Sequence, residues 1–279
     1  MDLLDRRKIL EECCSKHRTP LWQFQFPDRN TKELKTSIFC PTCIQEDIAL
    51  HEEEKLQAAL NQQAYVTTYD VLMRDSIVPT ELKGVSFENF KADTAEEKQM
   101  LEFAKNQVEK YKQGMTGNTL ITGQTGIGKS HLSFSMAKAI NEHFKNISKP
   151  KSVLFVSLTE IIKQIKNGWN YDKGAKLTEF DAVKQLTSVD FLILDDLGAK
   201  NTNTTAKSDW EQDFLFDILN NRETTIINTN LNSQEIKTVY NARNASRIFK
   251  GLEGNSFKAF SISDKRYTIN KFKQGETTP

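Results

Sequence analysis

With 279 residues, the chain is long enough for one large domain or two modest ones with a sizeable core. Hydrophobic residues at 38% and charged residues at 27% describe a globular composition, neither collagen-like nor disordered. The 38 Lys and Arg against 37 Asp and Glu leave a net charge of +1, so bulk charge does not advertise nucleic acid, and no apolar run approaches the ~20 residues of a membrane span.

In chain order, the start from Met1 to Lys8 mixes charges and carries no apolar signal core, so a cytoplasmic location is expected. All four cysteines fall before residue 44. A cytosolic chain does not hold such residues as disulfides, so their clustering asks for another reason. Cys14-Ser-Lys-His17 and Cys40-Pro-Thr-Cys43 supply C-x₂-H and C-x₂-C pairs, the thiolate and imidazole donors a tetrahedral Zn²⁺ prefers. The expected ligands are Cys14, His17, Cys40 and Cys43, with Cys13 the alternative to Cys14, since adjacent cysteines rarely both reach one ion. From His51 to about residue 72 good helix formers run without a strong turn signal, which predicts a helix connecting two modules. It must stop near Asp75–Pro79, because the residue before proline is pushed out of the α region. The expected domains are therefore 1–72, zinc-binding with the connecting helix, and 73–279.

From about residue 84 strands and helices alternate. Asn118–Thr122 is a strand ending in a Gly-rich turn, and a helix carrying Leu132, Phe134, Met136, Ala137 and Ile140 follows. Val153–Leu158 is a second strand, and Thr159 opens a helix with Ile161, Ile162 and Ile165. Leu177, Phe180, Val183 and Leu186 recur every three residues as a helical stripe. Val189–Leu194 is a nearly all-apolar third strand, Ser208–Glu211 reads as a capping box opening a helix through Leu219, and Thr224–Thr229 is a fourth strand. This order predicts an α/β fold, a parallel sheet covered by helices.

The turn after the first strand fits G-x-x-x-x-G-K-[ST] at every fixed position: Gly123, Gln124, Thr125, Gly126, Ile127, Gly128, Lys129 and Ser130, followed by His131. Its backbone N–H groups cradle phosphate oxygens, Lys129 reaches the β/γ-phosphates, and the Ser130 hydroxyl ligates Mg²⁺. The apolar third strand runs into Asp195 and Asp196, at the sheet edge where ligands bind in open α/β folds. Asp195 is expected to hold Mg²⁺ and Asp196 to polarise the attacking water. The last 43 residues, Lys237 to Pro279, carry nine Lys or Arg against three Asp or Glu, a local basic excess that suits an acidic polymer.

On Ser86–Phe90, Gly-Lys-Ser-His-Leu132, Leu-Asp-Asp-Leu-Gly-Ala199, Ser208–Trp210, Thr-Asn-Leu231 and Arg243–Arg247, residues 75 to 270 resemble AAA+ ATPases, specifically replicative-helicase loaders of the DnaC/DnaI type, phage versions included. The resemblance implies an AAA+ P-loop domain that uses ATP/ADP, self-associates and meets single-stranded DNA. It also implies an N-terminal zinc module that binds the replicative helicase. It gives Asn230 the role of sensor 1, Arg247 that of a finger reaching a neighbouring subunit's nucleotide, and Arg266 that of sensor 2; Arg243, one turn before Arg247, is the alternative finger. Many AAA+ enzymes have Asp-Glu where this chain has Asp195-Asp196, so slow, switch-like hydrolysis is expected. IstB-type transposition ATPases share the core but usually lack such a zinc segment. A non-catalytic ATP-binding adaptor is the reading from another class.

Overall fold

Three short strands open the computed structural model, which describes residues 7–28, 33–169, 177–198, 206–259 and 261–266. Ala199 of the quoted motif and the basic residues Lys271 and Lys273 lie outside them. The chain divides into two compact units, Met1–Gln63 and Ala64–Pro279.

In the first unit β1 (Arg7–Cys13), β2 (Pro20–Pro27) and β3 (Leu34–Phe39) form an antiparallel sheet in that order. Trp22 pairs with Ile9 on one side and Phe39 on the other, and the Arg7 guanidinium lies 4.4 Å from its ring centroid. Helix α1 (Pro41–Thr67) follows at once. It begins ten residues before the expected His51, because Pro41 needs no N–H bond at the first helical position. It also ends five residues early. The Thr67 and Thr68 hydroxyls both turn back to the Ala64 carbonyl, and the chain re-enters a helix only as α2 (Val71–Asp75).

The second unit continues with α3 (Ala95–Lys112), whose N-terminus carries a full capping box between Thr94 and Glu97. There follow β4 (Thr119–Thr122), α4 (Lys129–Asn146), β5 (Val153–Ser157), α5 (Leu158–Trp169) and α6 (Glu179–Ser188). β6 (Phe191–Leu197), α7 (Asp209–Asn220), β7 (Thr225–Thr229), α8 (Ser233–Val239), α9 (Ala242–Ile248) and β8 (Ser256–Lys258) complete it. The five strands stand in the order β5-β6-β7-β4-β8, and every pairing is parallel. This is the expected α/β architecture, a parallel sheet covered by helices in the AAA+ P-loop manner.

Successive strand residues point to opposite faces, and the core divides accordingly. Leu154, Val156, Leu192, Leu194 and Ile227 pack with α5, α6 and α7, while Val153, Phe155, Phe191, Ile193 and Ile226 pack with α3 and α4. The buried Arg222 donates to the carbonyls of Leu186, Val189, Asp190 and Thr224, tying the end of α6 to the starts of β6 and β7. Burial pulls its guanidinium down to about 10, so it stays charged at neutral pH.

Two local expectations need correction. A strict three-residue spacing slips ~60° around a helix per step, so the stripe from Leu177 to Leu186 is not kept whole: Leu177, Val183 and Leu186 pack with the core and Phe180 turns out. Leu177 precedes the helix, and Phe180 is 75% exposed. Ser208 does cap α7 by accepting from the Glu211 N–H, but the Glu211 carboxylate accepts from Lys166 instead of returning to the cap.

Candidate functional site

Sheet parity builds the phosphate site. Asp195 follows Phe191 and Ile193 onto the α4 face, and Asn228 follows Ile226 onto the same face. They meet there: Asn228 Nδ2 donates to Asp195 Oδ1 at 2.7 Å and to Ser133 Oγ on α4 at 2.6 Å. Ser130 Oγ donates to the same Asp195 oxygen at 3.0 Å, so the expected magnesium pair is already assembled. Burial, then the neighbouring Asp196, pushes the Asp195 carboxyl up, which is the setting in which a divalent cation is most useful.

The pairing of β6 with β7 shifts register between Leu194 and Leu197. At this irregularity Asp196 sits at φ +57°, the left-handed region that Asp tolerates better than most residues. Asp196 has no hydrogen-bond partner among the described residues.

The loop from Gly123 to Gly128, with Gln124, Thr125 and Ile127 between, folds back on its lysine. Lys129 Nζ donates to the carbonyls of Gly123 and Gln124, each at 2.8 Å, and to Asn230 Oδ1 at 2.6 Å. Asn230 Nδ2 in turn donates to Thr125 Oγ1 at 3.2 Å, so Asn230 spans the loop. Burial brings Lys129 down to about 8; Asp195 and Asp196 oppose the shift and Arg266 reinforces it, which puts the Arg266 charge in the field of the phosphate cradle. Gly128 sits at φ +96°, and a Cβ there would meet Phe90 Cε2 at 2.6 Å. Gly126 sits at φ +80°, where a Cβ would lie 1.8 Å from Asp264 Oδ1. Only glycine fits either position.

His131 faces away from this cradle: its Nε2 lies 2.8 Å from the Ser86 carbonyl and its ring meets Phe90 edge-on. It brackets the Ser86–Phe90 segment to α4. Arg243 and Arg247 on α9 also lie apart from the P-loop. Arg243 pairs with Asp213 and stacks on Phe216 of α7, 4.3 Å from the centroid. Arg247 lies 6.0 Å from the same ring, and its Nε is buried without an acceptor. Asn228, Ser133, Asp264 and Lys265, whose N–H donates to the Gly126 carbonyl, were not singled out by sequence. An asparagine inside an otherwise apolar parallel strand was the available signal for the first of them.

In the first unit the hairpin turn between β1 and β2 carries Cys14 and His17. It closes by Arg18 N to Cys14 O at 2.8 Å and Cys14 N to Thr19 O at 2.9 Å. Cys40 ends the link from β3 and Cys43 lies in the first turn of α1. The four ligand atoms lie within 4.8 Å of one another. Zn–S bonds of ~2.3 Å and Zn–N bonds of ~2.05 Å set tetrahedral edges of ~3.8 Å between sulfurs and ~3.6 Å from sulfur to nitrogen. Cys14 Sγ lies 3.7 Å from Cys43 Sγ, and His17 Nδ1 lies 3.9, 3.7 and 3.3 Å from Cys14, Cys40 and Cys43. The donor set fits zinc, and Cys13, whose Sγ turns to the Glu11 carbonyl, is not part of it. Burial and the facing sulfurs push the Cys43 thiol up to about 11. Cys40 goes down to about 5 despite its own burial, through hydrogen bonds from Thr19, the Cys43 backbone and His17. Three thiolates cannot crowd here without a cation to share.

The family model for IstB-like ATP-binding proteins matches residues 49–248. No curated protein matches the chain by sequence. Among solved structures, DnaI overlays with a TM-score of 0.49 at 21% identity, covering 66% of this chain and 94% of that one. The DnaC helicase loader gives 0.48 at 19%, covering 64% and 98%. A primosome component from Streptococcus pyogenes serotype M3, itself described as putative, gives 0.48 at 18%, covering 66% and 91%. Overlays at this level transfer no activity or partner.

Proposed function

The chain belongs to the family of IstB-like ATP-binding proteins, and within that family we propose that it is an ATP-dependent loader delivering a replicative DNA helicase onto single-stranded DNA. The observation that carries the reading is the Cys14/His17/Cys40/Cys43 site, which fits zinc and lies wholly outside the matched residues 49–248. A nucleotide switch preceded by a separate small unit, held by a metal instead of a core, is the arrangement of a motor with a dedicated partner-binding module.

Bound Mg-ATP supplies the phosphoryl group that is transferred to water. Lys129 holds its terminal oxygens, Ser130 and Asp195 hold the metal, and Asp196 takes the proton of the attacking water. Asn230, already between Lys129 and Thr125, orients that water, and Arg266 acts on the same subunit's nucleotide. Arg247 acts in trans: its guanidinium is aimed at no carboxylate of its own chain among the described residues, whereas Arg243 is held by Asp213. Head-to-tail association follows, closing into rings or open spirals. Single-stranded DNA is held mainly through its phosphates, so its affinity falls steeply with salt.

The second reading, an IstB-type transposition ATPase, is favoured by the family match itself. Capture of partners on the full chain with ATP and with ADP, from the cell in which it acts, separates them. The expected result is nucleotide-dependent retention of a ring helicase. Retention of a transposase without helicase overturns the loader reading.

A further inference from the structure

The metal site is held by an outer shell as well as by its ligands. A neutral imidazole has one N–H and one lone pair, and only the lone pair binds a metal. His17 turns Nδ1 toward the three sulfurs, while Nε2 lies 3.0 Å from Glu46 Oε1. An ionised carboxylate only accepts, so Nε2 must carry the proton and the Nδ1 lone pair must face inward. Glu46 is itself anchored by Lys16 Nζ at 2.5 Å, from the residue next to His17 on the hairpin turn. It stands three positions after Cys43 on α1, the spacing that puts two helical side chains on one face. The helix that supplies one ligand therefore also supplies the group that orients another. Thr19 Oγ1, 3.2 Å from Cys40 Sγ, completes the shell, since a metal-bound thiolate can only accept.

We propose that Glu46 is a positioning residue of this site, fixing His17 as an Nδ1 ligand. The inference rests on the zinc reading above. The alternative is an ordinary exposed ion pair with Lys16, worth little to anything. Glu46 is not a fifth ligand, because its carboxylate meets the far nitrogen of the ring and stands outside the four-atom cluster.

The test is chelator competition for Zn²⁺ on the full chain, with Co²⁺ absorption as a second readout. Glu46→Ala should weaken zinc binding about 10- to 100-fold and alter the cobalt d–d bands. Glu46→Gln, which keeps an acceptor for Nε2–H, should restore most of the affinity, and Lys16→Ala should stay near wild type. ¹⁵N imidazole shifts of the zinc-loaded wild type should show a metal-bound Nδ1 and a protonated Nε2, a measurement that stands even if Glu46→Ala fails to fold. Unchanged affinity in Glu46→Ala, an equal loss in Lys16→Ala, or zinc on Nε2 overturns the role of Glu46. A wild-type chain that takes up no zinc overturns the zinc reading itself.

Discussion

The ATP-binding unit buries one apolar cluster on each face of its five-stranded sheet, whereas among the described residues of Met1–Gln63 only Cys40 is buried. Even the 27-residue α1 buries nothing. Small segments without a core depend on disulfides, metals or assembly, and here the donors for one metal converge. The large unit draws its shape from burial and has polar groups to spare for a ligand site; in the small unit the polar cluster is the source of shape. Losing a side chain should therefore damage nucleotide chemistry in one unit and local structure in the other.

Four substitutions or conditions press on that contrast. Lys129→Ala, at the centre of the cradle, should abolish ATP binding while leaving zinc content unchanged; nucleotide titration beside elemental analysis checks both. Asp196→Asn should keep ATP affinity and lower turnover by about 10²- to 10⁴-fold, the range for a lost general base. Normal turnover in a single-turnover assay would remove Asp196 from the chemistry.

The pH dependence of nucleotide affinity should be smaller. Free Lys129 titrates at about 8, lowered by burial, and phosphate binding requires its charged form. As pH rises through 8 the free chain loses that proton and binding must restore it, so affinity at pH 9 should be about tenfold below its neutral value. Lys129→Arg should flatten the profile. Confined to stability is Asn228→Ala, which leaves Asp195 and Ser133 short of a donor. It should cost the ATP-binding unit about 1–3 kcal/mol, seen as a lower melting temperature, with zinc affinity unaffected.

The sheet was legible because its strands are apolar runs punctuated by polar turns. Once they are placed, parity alone carries Asp195 to α4. The P-loop pattern and the four donors that converge at the candidate metal site were legible because their chemistry imposes spacing along the chain. α3 carries a buried stripe, Met100, Ala104, Val108 and Tyr111, that went unread among its charged neighbours, whereas the N-terminal sheet, the short β8 and the start of α1 have no buried periodic face to read. Asn228, Glu46 and Asp264 were out of reach for a different reason. Each lies beside a residue distant in sequence, so only the folded chain shows what it touches.

The most direct test of two separately held units is hydrogen exchange on the full chain, zinc-loaded and after chelation, each with and without ATP. Chelation should deprotect amides from Arg7 to Cys43, while β4, β6 and β7 stay protected and ATP still slows exchange around Gly123–Ser130. Unchanged protection of Arg7–Cys43 after zinc removal, or loss of protection throughout the parallel sheet, would contradict the account.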